Sequence, residues 1–245
     1  MGLSALLVVV IAIETIQLYG IIDGQAAIGT DLAYYRFVAD RWLSTGVVYT
    51  DQQLAGPYVV QTQVHNLYPP HALYLFVPFL YLPAILWWVL PLAVVAYVVW
   101  WCRPAPWGWP LLLLILALPK SPAQILFGNS DMWIAAFIAG GVRWSWPAVL
   151  MSIKPSLGFF AIVGIRARSW WIALAVLIVA SVPLWSYWLQ YPIIARNSSA
   201  QLSYSFGNLP FFCLPLVAWL VSTRRGDRSI RRWTMDLLGR RERVT

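Results

Sequence analysis

Apolar residues run in long blocks along this chain, with short polar stretches between them. The blocks fall roughly at 3–22, 71–83, 84–102, 107–119, 129–142, 145–165, 169–188 and 208–222. Several approach the ~20 residues that a helix needs to cross a bilayer. Two of them read differently from plain spans. "YPPHALYLFVPFLYLP" holds about 13 residues between Pro70 and Pro83, too few to cross, so it is placed in the membrane interface. "WPAVLMSIKPSLGFFAIVGIR" breaks at Lys154-Pro155, because proline disfavours helical backbone at the residue before it. That block becomes two short half-helices.

The stretch "GTDLAYYRFVADRW" has a different pattern. At about 100° per residue, Leu32, Tyr34, Tyr35, Val38, Ala39 and Trp42 share one arc. Arg36, Asp40 and Arg41 lie off it, with Phe37 the apolar exception. An amphipathic helix lying in the interface is predicted, with Asp31 in its first turn and on the apolar arc. The whole pattern predicts an all-α, polytopic membrane protein of about eight transmembrane helices. Interfacial helices sit in a long first outer loop, 23–83. Residues 1–222 form the transmembrane domain and 223–245 a basic cytoplasmic tail. The first block reads as a retained span, since no small-residue cleavage site follows it.

Composition sharpens this picture. The 245 residues are 60% hydrophobic and 11% charged, against about 45–50% and about 25% in soluble domains. The 16 tryptophans and 12 tyrosines fit side chains that anchor at membrane–water boundaries. Positive charge then sets the sides. Arg103, Arg143, Arg166, Arg168 and the tail arginines from Arg224 to Arg243 fall on the cytoplasmic side, 12 of the 17 basic residues. Both termini are then cytoplasmic. The tail reads as a topology lock that binds anionic lipid, so the net charge of +8 reports orientation and not a nucleic-acid partner. Cys102 and Cys213 show neither metal nor redox spacing.

The candidate chemistry collects on the outer side. Asp31 reads as a cap or first-turn acid for the start of its helix, as a carboxylate held there for catalysis, or as both. Asn129 and Asp131 open a later block, and Lys154 sits at the break between half-helices. Lys120 follows "LILALP", and these two are the only lysines in the chain. Ionisable groups near membrane depth suggest a functional site, the alternative being a structural Asp131–Lys154 or Asp31–lysine pair. His65 and His71 flank "NLYPP" and are candidates for touching a phosphate or a hydroxyl. Glu14 and Gln17 suit hydrogen bonds between helices. No cluster of metal-ligand type is present, so no metal or other cofactor is expected.

Taken in order, "GTDLAYYRFVADRWLSTGVVY", "YPPHALYLFVPFLYLP", "GNSDMW" and "GVRWSWPAVLMSIKPSLGFF" resemble the GT-C superfamily of membrane glycosyltransferases. The likeness is to glycosyltransferase family 87, the polyprenyl-phosphate-sugar-dependent mannosyltransferases and arabinofuranosyltransferases, and it covers roughly residues 3–190. The resemblance implies a sugar carried on a polyprenyl phosphate, a glycan or glycolipid acceptor, and inverting transfer on the outer face of the plasma membrane. It implies Asp31 as general base. The family's Tyr-Pro-Pro falls on Tyr68, Pro69 and Pro70, its Gly-Gln/Asn-x-Asn/Asp element on Gly128, Asn129 and Asp131, and its Lys-Pro on Lys154 and Pro155. Lys154, with Arg36 or Lys120, is expected to face the donor phosphate. Family members are usually longer, with further spans and another outer loop. The stretch "LQYPIIARNSSAQLSYSFGN" with Arg196, or helices from a partner protein, would take that place. The alternative is a non-catalytic lipid-sugar-binding subunit or a half-enzyme.

Overall fold

The computed structural model describes residues 28–60, 64–118, 120–199 and 209–223, with scattered positions between 4 and 16. Glu14, Gln17, most of the first block and the tail beyond Thr223 lie outside the described residues. Those described are helical, with isolated bridges at Tyr58–Ser198 and Pro104–Ser222 in place of strands.

The amphipathic helix spans Thr30–Thr45. Its buried side chains are Leu32, Tyr35, Val38 and Ala39, the core of the arc read from the sequence. Gly29 precedes it in the left-handed conformation (φ 77°) and Gly46 ends it in the same way. Both turns suit a residue without a Cβ. The following loop is strapped by Arg41, whose guanidinium donates to the carbonyls of Val47, Val48 and Val64.

The 71–83 segment forms three short pieces, Pro70–Ala72, Leu73–Phe76 and Pro78–Tyr81. It turns through 118° before the Leu86–Cys102 helix. The Leu86–Cys102 helix packs along Asp131–Trp144, which also contacts Leu209–Leu220. Gly141 permits a close approach of the following segment, Trp146–Ile153, since a Cβ would stand 2.8 Å from that of Ala148. The core joins Tyr35, Tyr68, Phe76, Trp87 and Phe212.

The break at Lys154 falls where proline put it, but its two arms are 3-10 helices, Trp146–Ile153 and Pro155–Ile162. One difference from the sequence reading is larger. Helix was expected to stop near 188, with Arg196 in a loop; instead it runs from Arg168 through to Asn197, 30 residues. Pro183 only tightens it into a 3-10 turn, Val182–Leu184. Tertiary contacts hold the last turns. Ile194 is buried and its carbonyl accepts from Tyr58 Oη, while Asn197 Nδ2 donates to Gln53 O. Such contacts outweigh local breaking signals.

Arg168–Asn197 is the one described helix long and apolar enough by itself to cross a membrane; counting each of two bent helix pairs as one span raises the number to three. At 1.5 Å per residue it measures about 45 Å, beyond the ~30 Å of a hydrocarbon core.

Candidate active site

Three separate parts of the chain bring polar groups together. The first is the start of the Thr30–Thr45 helix. Its position is set by Gly29, whose N–H donates to Leu126 O at 2.9 Å. That bond docks the helix start on the end of Lys120–Phe127, next to the turn at Gly128 (φ 69°). The turn is locked from its other side by Trp87 Nε1, which donates to Gly128 O at 2.7 Å.

Asn129 leaves this turn and uses both ends of its amide. Its Oδ1 accepts the N–H of Asp131 at 3.0 Å, an Asx-type turn that starts the next helix. Its Nδ2 donates to Asp31 Oδ2 at 2.5 Å. Asp31 is therefore in the first turn of its helix without serving as its cap; the cap position belongs to Gly29, which makes no side-chain bond. The Asp31 carboxylate points into the protein body.

Asp131 is fully buried, and Lys154 is nearly so; their side chains form an ion pair. Lys154 sits at the junction of the two 3-10 helices with φ −125° and ψ 87°. Asp31, Asn129, Asp131 and Lys154 thus form one polar cluster within an aromatic core. Burial raises the pKa of Asp31 above the usual aspartate value; the Asn129 hydrogen bond and the Lys154 charge oppose the shift, and Asp131 adds to it.

Tyr68 adjoins the cluster. Its hydroxyl meets Tyr35 Oη at 3.0 Å and Ser130 Oγ at 2.8 Å, and Ser130 N–H donates to Tyr35 Oη at 3.1 Å. Tyr68 and Lys154 also line an open cleft, with Ser156, Tyr191, Ile194 and Ser198 on its other walls. Asp31 is not among the residues lining it.

The remaining candidates lie further out. Arg36 donates to Leu80 O at 3.3 Å, on the opposite side of its helix from the cluster. Lys120 opens the Lys120–Phe127 helix, and its side chain lies outside the described atoms. His65 is buried between Gln52, which it meets at 3.2 Å, and the ring of Tyr58. His71 stacks on Trp188 and meets Ser152 Oγ at 3.0 Å. Arg196 is exposed near the end of its helix. Among the described residues no His, Cys, Asp and Glu side chains group as three or more metal ligands.

Tyr35, Ser130 and Tyr191 were not singled out from the sequence. Tyr35 had a readable signal, since it lies one helical turn after Asp31 on the same face. Ser130 and Tyr191 had none, because tertiary contacts alone bring them to the site. No family model, curated protein or solved structure matches this chain.

Proposed function

We propose that this chain is a membrane glycosyltransferase of the GT-C type. It moves a sugar from a polyprenyl-phosphate donor to a glycan or glycolipid acceptor on the outer face of the plasma membrane. The observation that carries the reading is the meeting of Asp31, Asn129 and Lys154, which belong to three motifs far apart in sequence. A carboxylate held by a neutral amide, at the start of an interfacial helix, suits a general base.

The step is a single displacement. The acceptor hydroxyl oxygen attacks the anomeric carbon and gives its proton to Asp31. The bond from that carbon to the donor phosphate breaks, and the phosphate leaves with the electron pair. Configuration inverts. Lys154 faces the cleft, so the phosphate is assigned to that side, where positive charge stabilises the leaving group. Because Lys154 is paired with Asp131, it acts there from a fixed position.

The multi-pass arrangement, with the site outside and both termini in the cytoplasm, belongs to the same proposal. Its support is charge asymmetry. The Asp131–Trp144 helix runs from the carboxylate cluster at one end to Arg143 at the other, about 20 Å away. Arg103 and Arg168 share the second end: Trp101 lies against Arg143, and Ser169 Oγ donates to Trp144 O. Basic residues gathered at one end are what the positive-inside rule expects.

The test is transfer of labelled sugar from a panel of polyprenyl-phosphate donors by the purified chain in vesicles. Transfer from one donor supports the enzyme and names its sugar. Donor binding without transfer identifies a binding subunit that works with a partner chain.

A further inference from the structure

The end of the bundle opposite the carboxylate cluster carries a second arrangement of charge. Arg143 lies in the last turn of Asp131–Trp144. Its guanidinium carbon is 4.9 Å from the centre of the Trp101 ring and 5.6 Å from that of Trp144. Tyr97 stacks on Trp144 with planes 3° apart, which fixes that wall. The helix end explains why a cation is stable here, but not its hydrogen bonding. Arg143 Nε is buried and finds no acceptor. The carboxylates of Asp31 and Asp131 lie at the other end of the helix.

We infer that this end of the bundle binds the phosphate of an anionic phospholipid in the cytoplasmic leaflet. The indole rings of Trp101 and Trp144 hold the guanidinium and shield Nε, so its terminal Nη1/Nη2 edge is the one left to meet two phosphate oxygens. Arg103 and Arg168, both exposed, belong to the same end: Arg103 is next but one in sequence to Trp101, and Arg168 is next to Ser169, which donates to Trp144 O. Tryptophan rings at the same level suit the headgroup region. This inference rests on the proposed seat in the bilayer and not on sugar transfer.

The test uses the full chain, delipidated in neutral detergent and titrated with phosphatidylglycerol, with phosphatidylcholine of the same acyl chains, and with inorganic phosphate. Thermal midpoint and lipid retained by native mass spectrometry are read together. Phosphatidylglycerol alone is expected to be retained and to raise the midpoint. Arg143→Gln is expected to weaken it about fivefold, the size expected for one cation near a charged surface. The tail is common to both proteins, so the difference reports Arg143. Equal retention of the two lipids, or equal retention by the folded variant, overturns the proposal. A shift produced by inorganic phosphate alone also overturns it, by marking a free-anion site. Should Arg143→Gln not fold, Arg103→Gln/Arg168→Gln replaces it, with a loss of about 25-fold expected for two cations and unchanged retention counting against the site.

Discussion

Asn129 reaches across 98 positions of sequence to donate to the carboxylate of Asp31 at 2.5 Å. The donor is neutral, so it orients the carboxylate without cancelling its charge. Burial still leaves the carboxyl with a raised pKa, although the Asn129 bond and the Lys154 charge both lower it.

Asp31→Asn removes the proposed base and keeps the shape. Loss of general-base catalysis lowers transfer by roughly 10²–10⁴-fold, measured with labelled donor in vesicles. Folding should be unharmed. A carboxyl with a raised pKa binds its proton more tightly folded than unfolded, so its contribution to stability falls as pH rises through that window. At neutral pH the amide variant is expected to be at least as stable as the wild type. Full activity in this variant would remove Asp31 from the mechanism.

The pH profile follows from the same group. With Asp31 as the proposed base, transfer requires its ionised form, and the rate is expected to fall as pH drops through its folded pKa, which burial holds above the usual aspartate value. Asn129 favours the charged form. Asn129→Ala is therefore expected to move the acidic limb of kcat/KM to higher pH, with a smaller effect on the plateau. A limb that stays in place, or moves down, contradicts the assignment.

How much of this was readable in the chain differs from element to element. The Thr30–Thr45 helix was legible because its apolar spacing is a local property. The break at Lys154 was legible because proline acts on its neighbour. The 3-10 character of both arms was not, since a proline marks where a helix breaks but not which kind of helix stands on either side of it. The helix through Asn197 was misread, because the apolar block ends near 188 while contacts from Gln53 and Tyr58, far away in sequence, hold the further turns. At the site, the residue types at Asp31, Asn129, Asp131 and Lys154 were visible, and their pairing was not. Sequence left the Asp131–Lys154 pair as one alternative, and only the folded chain brings those side chains into contact.

Gly128 holds the turn that aims Asn129. Its φ of 69° costs an ordinary residue about 1–2 kcal/mol. A Cβ would also stand 2.9 Å from Trp88 Cζ2, and that ring is anchored by its own bond to Ile125 O. Gly128→Ala is expected to lower stability by at least that strain and to reduce transfer, because Asn129 moves with the turn. Thermal unfolding in lipid, run beside the transfer assay, reads both. Unchanged values would mean that the turn relaxes freely.

The buried pair of Asp131 and Lys154 separates structure from chemistry. Lys154→Met leaves a buried carboxylate without its cation, expected to cost about 3–5 kcal/mol in chemical denaturation. Asp131→Asn/Lys154→Met removes both charges, and an apolar or neutral replacement of a buried pair is often tolerated. The double variant should therefore be more stable than Lys154→Met alone, by about 0.5–3 kcal/mol relative to additive behaviour. Transfer distinguishes the roles. If Lys154 meets the leaving phosphate, stability recovers in the double variant while kcat stays low. Recovery of kcat together with stability would make the pair purely structural and send the search for the phosphate's cation to Arg36 and Lys120.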